Sequence, residues 1–416
     1  MSEKTPVYIK DVLIKDFKCF KGENTFSFVN EKGDWCRWTV FLGNNNTGKT
    51  NLLKAIAALE PVEDVISLEV ITDYIKMKAY FPLGANKRFF SEDKPFIHSL
   101  SVEKDSYSLS YGATPLASTN KILELLSIYG YGVTRNIEKK GIKTEEKKLN
   151  ADNLFFNSNL INFEDWLFQL DYAANNKSSE KSNQEKAAKR RDLLKEVLTS
   201  EIFPEINNIR FISDESLNNY IEFQTENGWY KLSELGFGYQ ATLSWMCDFC
   251  KKMFDRYPES ENPLKEPAVL LIDELDLHLH PEWQRKIVGY LSNIFTVTQF
   301  IVTTHSPFIL QSMNNVNLYT LQREGDHTLV EHHGSNRSFV GWRIEEILSE
   351  IMGLEENIQT NTYQELMKQF DEALDQEDYL KGKAAFDTLK KILHPQSAKR
   401  KLLDIQFSQL VPNDKA

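Results

Sequence analysis

The sequence predicts an α/β protein with a parallel sheet, because three apolar runs each end in a segment suited to chemistry. "WTVFL" precedes a turn that begins at Gly43, and "AVLLI" precedes Asp273 and Glu274. "QFIVTT" precedes His305. Continuous apolar runs are typical of strands buried on both faces of a parallel sheet. Because ligands bind at the carboxyl ends of such strands, we expect the three segments to form one site.

The turn after the first run has the spacing of a phosphate-binding loop, Gly43-x-x-x-x-Gly48-Lys49-Thr50. Its backbone N–H groups would face an anion, and the helix that begins near Gly48 would add its positive end. Lys49 would reach the β- and γ-phosphates, and the Thr50 hydroxyl would bind Mg²⁺. The predicted ligands are ATP and Mg²⁺. The predicted nucleotide contacts are Gly43, Asn44, Asn45, Asn46, Thr47, Gly48, Lys49, Thr50 and Asn51.

The other two runs supply the rest of a hydrolytic site. Asp273 can hold Mg²⁺ through water, and Glu274 can orient and deprotonate the attacking water. His305 can hydrogen-bond the γ-phosphate. The alternative for His305 is a histidine in an ordinary strand-to-helix turn, which the order of the three elements disfavours. The predicted catalytic residues are therefore Glu274 and His305, and the predicted metal-binding residues are Thr50 and Asp273.

Composition indicates a soluble cytoplasmic protein of more than one lobe. The chain has 416 residues and a net charge of −11, so its average surface repels nucleic acid and anionic membranes. Its four cysteines do not suggest a disulfide framework at this length. No amino-terminal apolar segment and no run of about 20 apolar residues is present, which predicts no membrane contact.

Periodicity places the remaining elements. Strands are expected at "VYIKDVLIKDFKCF", "TFSFV", "IRFISD" and "YIEFQT", and β-rich segments at "LEVIT", "KMKAYF" and "SYSLSYG". Helices are expected at "NLINFEDWLFQLDYA" and "EKAAKRRDLLKEVLTSEIF". The predicted domains are a first lobe over 1–137, a helical insertion without a long coiled coil over 138–214, a second lobe over 215–320, and a strand and helical appendage over 321–416.

In combination, the phosphate loop, the long insertion, "DELDLHLHP" and "THSP" resemble the ABC-type ATPases of the RecF, SMC and OLD kind, over roughly residues 7–58 and 215–320. The resemblance implies an ATPase head with a mixed β lobe and a parallel-sheet lobe. It also implies a homodimer that sandwiches two ATP molecules, with higher oligomers possible. Each ATP would touch one subunit's phosphate loop and the other subunit's signature motif.

The signature motif corresponds to "KLSELGFGYQATLSW", with Gly236, Gly238 and Gln240 as the implied nucleotide contacts. Gly236 stands where the family has serine; the alternative alignment uses Leu232 and Ser233 with a longer spacer. A helix that starts near Gly238 would still direct N–H groups at the partner's nucleotide.

Three further motifs allow two interpretations each. His278 and His280 resemble the family's D-loop, against the alternative of a metal pair. Cys247 and Cys250 are spaced as helix-packing residues rather than as a zinc site. The segment "YGYGVTRN", which ends at Asn136, resembles the Q-loop region, so that Arg135 approaches the nucleotide; the alternative is an ordinary turn.

Missing features narrow the family. The insertion has no sustained heptad repeat, and no TOPRIM or HNH nuclease motif follows "THSP". This resembles the stand-alone ATPase subunits of bacterial anti-phage systems of the Septu and PARIS types, which act with a separately encoded nuclease effector. The trigger, nucleic acid or phage protein, stays open. Alternatives are a RecF-like DNA-repair ATPase and a transporter's nucleotide-binding subunit. The basic cluster Lys186, Lys189, Arg190 and Arg191 would serve the repair function by contacting phosphates, unless it is a solvated helix face.

The tail predicts two amphipathic helices. Tyr363, Leu366, Met367, Phe370 and Leu374 recur at helical spacing, and Phe386, Leu389, Ile392 and Leu393 repeat the pattern. A two-helix hairpin cannot bury both stripes without a third surface. That surface is either this chain's own core or a partner in assembly or effector binding.

Overall fold

The computed structural model describes residues 7–57, 86–91, 127–138, 150–200, 203, 206–216, 218–354 and 360–410. The chain divides into two compact units, Met1–Trp342 and Arg343–Ala416. The predicted β-rich segments "LEVIT", "KMKAYF" and "SYSLSYG" lie outside the described residues.

The first unit contains three sheets within the described residues. Its strands are β1 (Val7–Phe17), β2 (Phe20–Ser27), β3 (Trp38–Gly43), β4 (Asn86–Ser91), β5 (Ile128–Tyr131), β6 (Asn208–Ser213), β7 (Asn219–Thr225), β8 (Gly228–Lys231), β9 (Ala268–Ile272), β10 (Thr298–Thr304), β11 (Asn317–Glu324) and β12 (His327–His332). The largest sheet has the order β12–β11–β3–β10–β9–β5, and the other two have the orders β2–β1–β4 and β6–β7–β8.

The large sheet is parallel except for its edge strand β12. Strands β11, β3, β10, β9 and β5 run in one direction, so the carboxyl ends of β3, β9 and β10 meet at one edge. All residues of β5, β9 and β10 are buried, as continuous apolar runs require. The predicted α/β class and the convergence of the three segments are confirmed.

The helices of the first unit follow the loops at that edge, belong to the insertion, or follow the β6–β7–β8 sheet. They are α1 (Lys49–Ala57), α2 (Asp152–Phe156), α3 (Phe163–Asn175), α4 (Lys181–Leu198), α5 (Phe237–Arg256), α6 (Pro281–Ile294) and α7 (Pro307–Gln311). The insertion helices α3 and α4 pack on each other and on α5. No helix in the described ranges has the length and apolar character that crossing a membrane requires.

A buried cluster joins the antiparallel sheet of β1 to the large sheet. Gln299 of β10 is fully buried; its side chain accepts from the Ile9 N–H at 3.0 Å and donates to the Ile9 carbonyl at 2.9 Å. The Phe26 and Phe41 rings lie 5.6 Å apart, and Phe41 stacks on Tyr319 at 5.3 Å. This packing places the strand before the phosphate loop at the centre of the core.

The end of the large sheet lies in the predicted appendage. β11 and β12 pair with each other, and β11 pairs with β3, so residues 321–332 complete the sheet of the first unit. The second unit begins only at Arg343. The segment predicted as one appendage over 321–416 therefore contains the sheet's last strands as well as the helical unit.

The second unit has a third long helix that the sequence analysis did not predict. Its long helices are α8 (Asn361–Asp375), α9 (Tyr379–Ile392) and α10 (Ala398–Leu410), preceded by a short helical segment over Ile344–Glu346 and Ile347–Ile351. Tyr363, Phe370, Phe386 and Leu389 share a core with Leu403 of α10. The third surface needed by the two stripes is therefore supplied by α10 of the same chain.

The core of the second unit predicts a large effect of Phe386→Ala. The ring is 8% exposed and stacks on Phe407 at 4.2 Å. Truncation should lower the free energy of unfolding of this unit by about 3–5 kcal/mol. The free energy of unfolding is measured by denaturant titration, with limited proteolysis used to detect unfolding of this unit. Leu380→Ala is the control, because Leu380 is 78% exposed and its loss should change stability by less than about 0.5 kcal/mol. Equal stability of both variants would contradict the described core.

Candidate functional site

The phosphate loop begins where β3 ends and turns through two left-handed residues. Asn46 has φ 65° and Gly48 has φ 92°; asparagine is one of the few side chains that adopts this conformation readily. A Cβ at Gly48 would lie 2.3 Å from the Cys19 sulfur, and one at Gly43 would lie 2.3 Å from the Leu321 carbonyl oxygen. Both glycines are therefore required for close packing around the loop.

Lys49 places its ammonium group inside this loop. Its Nζ donates to the carbonyl oxygens of Gly43 at 2.8 Å and of Asn44 at 2.9 Å. Burial lowers the pKa of Lys49, although the Asp273 carboxylate acts in the opposite direction. The loop therefore combines backbone N–H groups with a fixed cation, and this combination suits the binding of a phosphate group.

Thr50 and Asp273 meet at the edge of the sheet. The Thr50 hydroxyl donates to one carboxylate oxygen of Asp273 at 2.6 Å, and the Thr303 hydroxyl donates to the other at 2.7 Å. Asp273 is 1% exposed. Hydroxyl and carboxylate oxygens are the hard ligands that Mg²⁺ prefers. The donor set therefore fits Mg²⁺, with Thr50 and Asp273 as the residues that would hold it.

Glu274 and His305 face each other beside this pair. His305 Nε2 lies 3.8 Å from a Glu274 carboxylate oxygen, and this buried nitrogen has no hydrogen-bond partner among the described residues. Burial, and then the Lys49 charge, lower the pKa of His305, which favours the neutral imidazole. A buried nitrogen without a partner fits a hydrogen bond to a ligand oxygen.

The turn that carries Glu274 has an unusual backbone. Glu274 has φ 50°, a left-handed conformation that costs about 1–2 kcal/mol for a residue with a side chain. Its N–H donates to the Thr303 hydroxyl at 2.8 Å. The Arg135 guanidinium donates to the carbonyl oxygens of Asp273 and Glu274, both at 2.9 Å. The Q-loop candidate therefore contacts the main chain of the acidic turn.

Several residues of this site were not predicted from the sequence. Thr303 binds both acids of the turn, and Thr304 donates to Asp276 at 2.5 Å. The available signal was "TTH", two hydroxyls at the end of a buried strand directly before His305. Asp276 also accepts from the His305 N–H at 3.3 Å, which fixes the backbone at the histidine.

The signature segment lies against the "LHLHP" segment. Gly236 is the N-cap of α5, and a Cβ at Gly238 would lie 2.3 Å from the His278 carbonyl oxygen. The Gln240 side chain donates to the Leu235 carbonyl at 2.8 Å. Within the described residues, no hydrogen bond joins Gly236, Gly238 or Gln240 to residues 43–51. Hydrogen bonds within the described part of the chain therefore do not connect these predicted contacts to the phosphate loop.

The histidine and cysteine pairs show no metal geometry. His280 accepts from the Glu282 N–H at 3.4 Å as the N-cap of α6. The part of the chain that the structure describes has no group of three His, Cys, Asp or Glu that could hold a metal ion. Cys247 and Cys250 are fully buried in α5, and burial raises the pKa of both thiols, which confirms helix packing.

The basic cluster on α4 is paired within the chain. Its contacts are Lys186 with Glu259 at 2.9 Å, Lys189 with Glu261 at 3.8 Å, Arg191 with Asp171 at 2.8 Å, and Arg190 with the Phe254 carbonyl oxygen at 3.1 Å. These contacts hold α4 against α3 and the end of α5. The cluster thus favours the solvated helix face over a phosphate-binding surface.

The fold and the site define a P-loop ATPase-type domain, with a phosphate loop, acids and a histidine at the carboxyl edge of one parallel sheet. Residues 39–311 match the family model described as "AAA domain, putative AbiEii toxin, Type IV TA system". The match covers more than half of the chain, and the chain belongs to this AAA domain family.

Named relatives share parts of the sequence. Septu protein PtuA of Bacillus thuringiensis is 33% identical over 208 residues, which cover 49% of this chain and 52% of that protein. The chain therefore spans about half the length of this curated relative. Retron Vc95 probable ATPase of Vibrio cholerae serotype O1 biovar El Tor is 23% identical over 383 residues, covering 74% of this chain and 72% of that protein.

Solved structures that are similar to this chain include a crystal structure of the SmcHead bound to the C-winged helix domain of ScpA. It is 16% identical, covers 79% of this chain and 98% of that chain, and has a TM-score of 0.47.

Proposed function

We propose that this chain is a Mg²⁺-dependent ATP hydrolase. The observation that carries the proposal is the convergence of Lys49, Thr50, Asp273, Glu274 and His305 at one edge of the sheet. Loop, acids and histidine come from strands β3, β9 and β10, which are adjacent only because of the sheet order.

Each side chain has a role that its position supports. Lys49 binds the β- and γ-phosphates, and Thr50 and Asp273 hold Mg²⁺, which when bound neutralises developing phosphate charge. Glu274 takes a proton from the attacking water. His305, whose Nε2 has no partner among the described residues, donates to a γ-phosphate oxygen.

Removal of the metal should abolish turnover. Without Mg²⁺, the Thr50 hydroxyl and the Asp273 carboxylate no longer hold a cation beside the nucleotide. The negative charge that develops on the phosphates during hydrolysis is then not neutralised. Phosphate release from ATP, measured with Mg²⁺, with EDTA, and with Mg²⁺ restored, tests this. Full turnover in EDTA would contradict the proposed site.

We propose further that the active form is a homodimer in which α5 of one protomer completes the site of the other. Support comes from Gly236, Gly238 and Gln240, which have no hydrogen bond to the described phosphate loop, and from Gly238, which lies against the His278 carbonyl. Exposure of Phe237, 58%, at the start of α5 also leaves this end accessible to a partner.

Gly238→Ala should impair dimerisation on ATP and leave ATP binding to the single chain intact. The added Cβ would meet a backbone oxygen at 2.3 Å, so α5 or the His278 segment must shift. We expect dimer formation at least about 10-fold weaker, by light scattering with Mg²⁺-ATP. Gly289→Ala in α6 is the control, since its Cβ meets nothing within 4 Å. Unchanged ATP-dependent association of the Gly238 variant would contradict the interface.

The biological setting proposed is anti-phage defence in the cytoplasm, with a separately encoded nuclease as effector. Its support is the likeness to a Septu protein and a retron ATPase, together with the resemblance to stand-alone defence ATPases. The test is phage challenge of cells that carry this gene with its genomic neighbour. Protection that depends on both genes and on Lys49 supports the proposal, whereas unchanged plating contradicts it.

The basic cluster on α4 lends the DNA-repair alternative little support. The four basic side chains that would contact a phosphate backbone are engaged within the chain. Salt-dependent binding of duplex DNA by the purified chain would restore that alternative.

A further inference from the structure

Arg135 is a buried cation with an unusual set of contacts. It is 5% exposed, and one terminal nitrogen donates to the carbonyl oxygens of both Asp273 and Glu274. Its other terminal nitrogen is buried and has no partner in the described residues. Burial lowers the pKa of Arg135 to about 10, against the opposing effect of Asp273. Burial of a guanidinium is costly unless its N–H groups are well paired.

The segment that carries Arg135 is fixed by one side chain of the insertion. Asn153, at the start of α2, is 2% exposed. Its carboxamide accepts from the Gly132 N–H at 2.8 Å and donates to the carbonyl oxygens of Thr134 and Ser158, both at 2.7 Å. The backbone on both sides of residue 133 is therefore tied to the insertion, directly before Arg135.

The acidic turn depends on donors from two directions. Its left-handed residue, Glu274, donates its N–H to Thr303, and its carbonyl accepts from Arg135 and from the Leu277 N–H at 3.0 Å. Among the hydrogen bonds of the described residues, the Asp273 carbonyl accepts only from Arg135. Loss of the guanidinium would remove the described donor to the Asp273 carbonyl and one of the two donors to the Glu274 carbonyl, and it would let the turn relax. The Glu274 carboxylate would then no longer be aimed by the backbone.

We propose that Arg135 is a positioning residue for Glu274, and that Asn153 of the insertion sets its place. Contacts that move α2 would then change the rate of hydrolysis without contacting the nucleotide. This inference rests on the proposed ATP hydrolysis. It predicts a loss of kcat with nearly unchanged nucleotide affinity, because the phosphate loop is not involved.

The test compares full-length variants by steady-state kinetics and by equilibrium binding of ATP. Arg135→Ala should lower kcat about 100-fold, the scale expected for a displacement of about 1 Å at a catalytic group, with Kd for ATP within about 3-fold. Arg135→Lys keeps the positive charge but can donate to one of the two carbonyls at most. Its kcat should be about a tenth of the wild-type value or more. Asn153→Ala should lower kcat about 10-fold.

Arg37 provides a matched control. Its guanidinium also donates to two main-chain carbonyls, those of Ser292 and Phe295, and its Nε is likewise buried without a partner among the described residues. Arg37 lies at the far end of β3 from the loop. Arg37→Ala should lower the melting temperature and leave kcat within about 2-fold.

The outcomes separate this inference from the proposed function. Normal kcat in Arg135→Ala, with Lys49→Ala inactive, overturns the positioning role and leaves the ATPase standing. Normal binding and turnover in Lys49→Ala overturns the proposed function itself. If Arg135→Ala does not fold, Arg135→Lys and Asn153→Ala decide: wild-type kcat in both overturns the inference. A purely structural residue would, when replaced, lower kcat, the affinity for ATP and the melting temperature together. That result in these variants also overturns the inference.

Discussion

Replacement of Lys49 by alanine should abolish ATP binding and turnover. The ammonium group lies within 2.9 Å of two loop carbonyl oxygens, so its removal leaves the Gly43 and Asn44 carbonyls without this donor and the loop without its cation. Loss of one partner of a buried charged hydrogen bond costs about 2–5 kcal/mol, or roughly 30- to 5,000-fold in affinity. We expect a Kd for ATP at least about 100-fold higher, measured by calorimetry, and no detectable phosphate release.

Lys286→Ala is the matched control for this change. Lys286 is a half-exposed lysine on α6 whose ammonium pairs with Glu282 at 2.9 Å, outside the site. Exposed pairs of this kind contribute little to stability. Nucleotide affinity should be unchanged. Equal affinity and turnover in the Lys49 and Lys286 variants would show that the loop does not bind the nucleotide.

Replacement of Glu274 by glutamine should separate binding from hydrolysis. The amide keeps the size of the side chain and removes the base, so the ground-state contacts of the phosphate loop are retained while transition-state help is lost. We expect hydrolysis to fall at least about 1,000-fold, with the affinity for ATP within a few-fold of wild type. The protein should then accumulate as an ATP-bound dimer.

Light scattering with Mg²⁺-ATP and with ADP measures that accumulation. Glu259→Gln is the control: it changes an exposed carboxylate that pairs with Lys186 away from the site, and it should hydrolyse at the wild-type rate. Wild-type hydrolysis by the Glu274 variant would remove Glu274 from the base role. A strict monomer at saturating ATP would refute the sandwich.

Local pattern was sufficient for the elements that carry the site. The runs before Gly43, Asp273 and His305 are mostly apolar, and all three became adjacent buried strands. Such strands can be recognised from their own residues without knowledge of the neighbouring strands, because burial on both faces requires an apolar composition. The edge at which parallel strands end then places the chemical groups together.

The tail shows why pattern was insufficient elsewhere. The stripes of α8 and α9 indicated a missing third surface, yet α10 carries only Leu403 and Leu410 as buried residues, and its periodicity is weak. Leu402 and Ile405 on the same helix are 55% and 62% exposed. The presence of apolar residues on a helix does not by itself show which of its faces is buried.

The sequence by itself determined the phosphate loop, the three site strands and the class of chemistry, because each is encoded within a few consecutive residues. The tertiary structure decided which distant groups serve that chemistry. Thr303 holds the acidic turn across the sheet, Arg135 binds its carbonyls, and Asn153 fixes Arg135 from the insertion. These are hydrogen bonds between side chains and main-chain groups, and a main-chain carbonyl is the same at every position. Only the folded arrangement of β5, α2, β9 and β10 gives such a contact its partner.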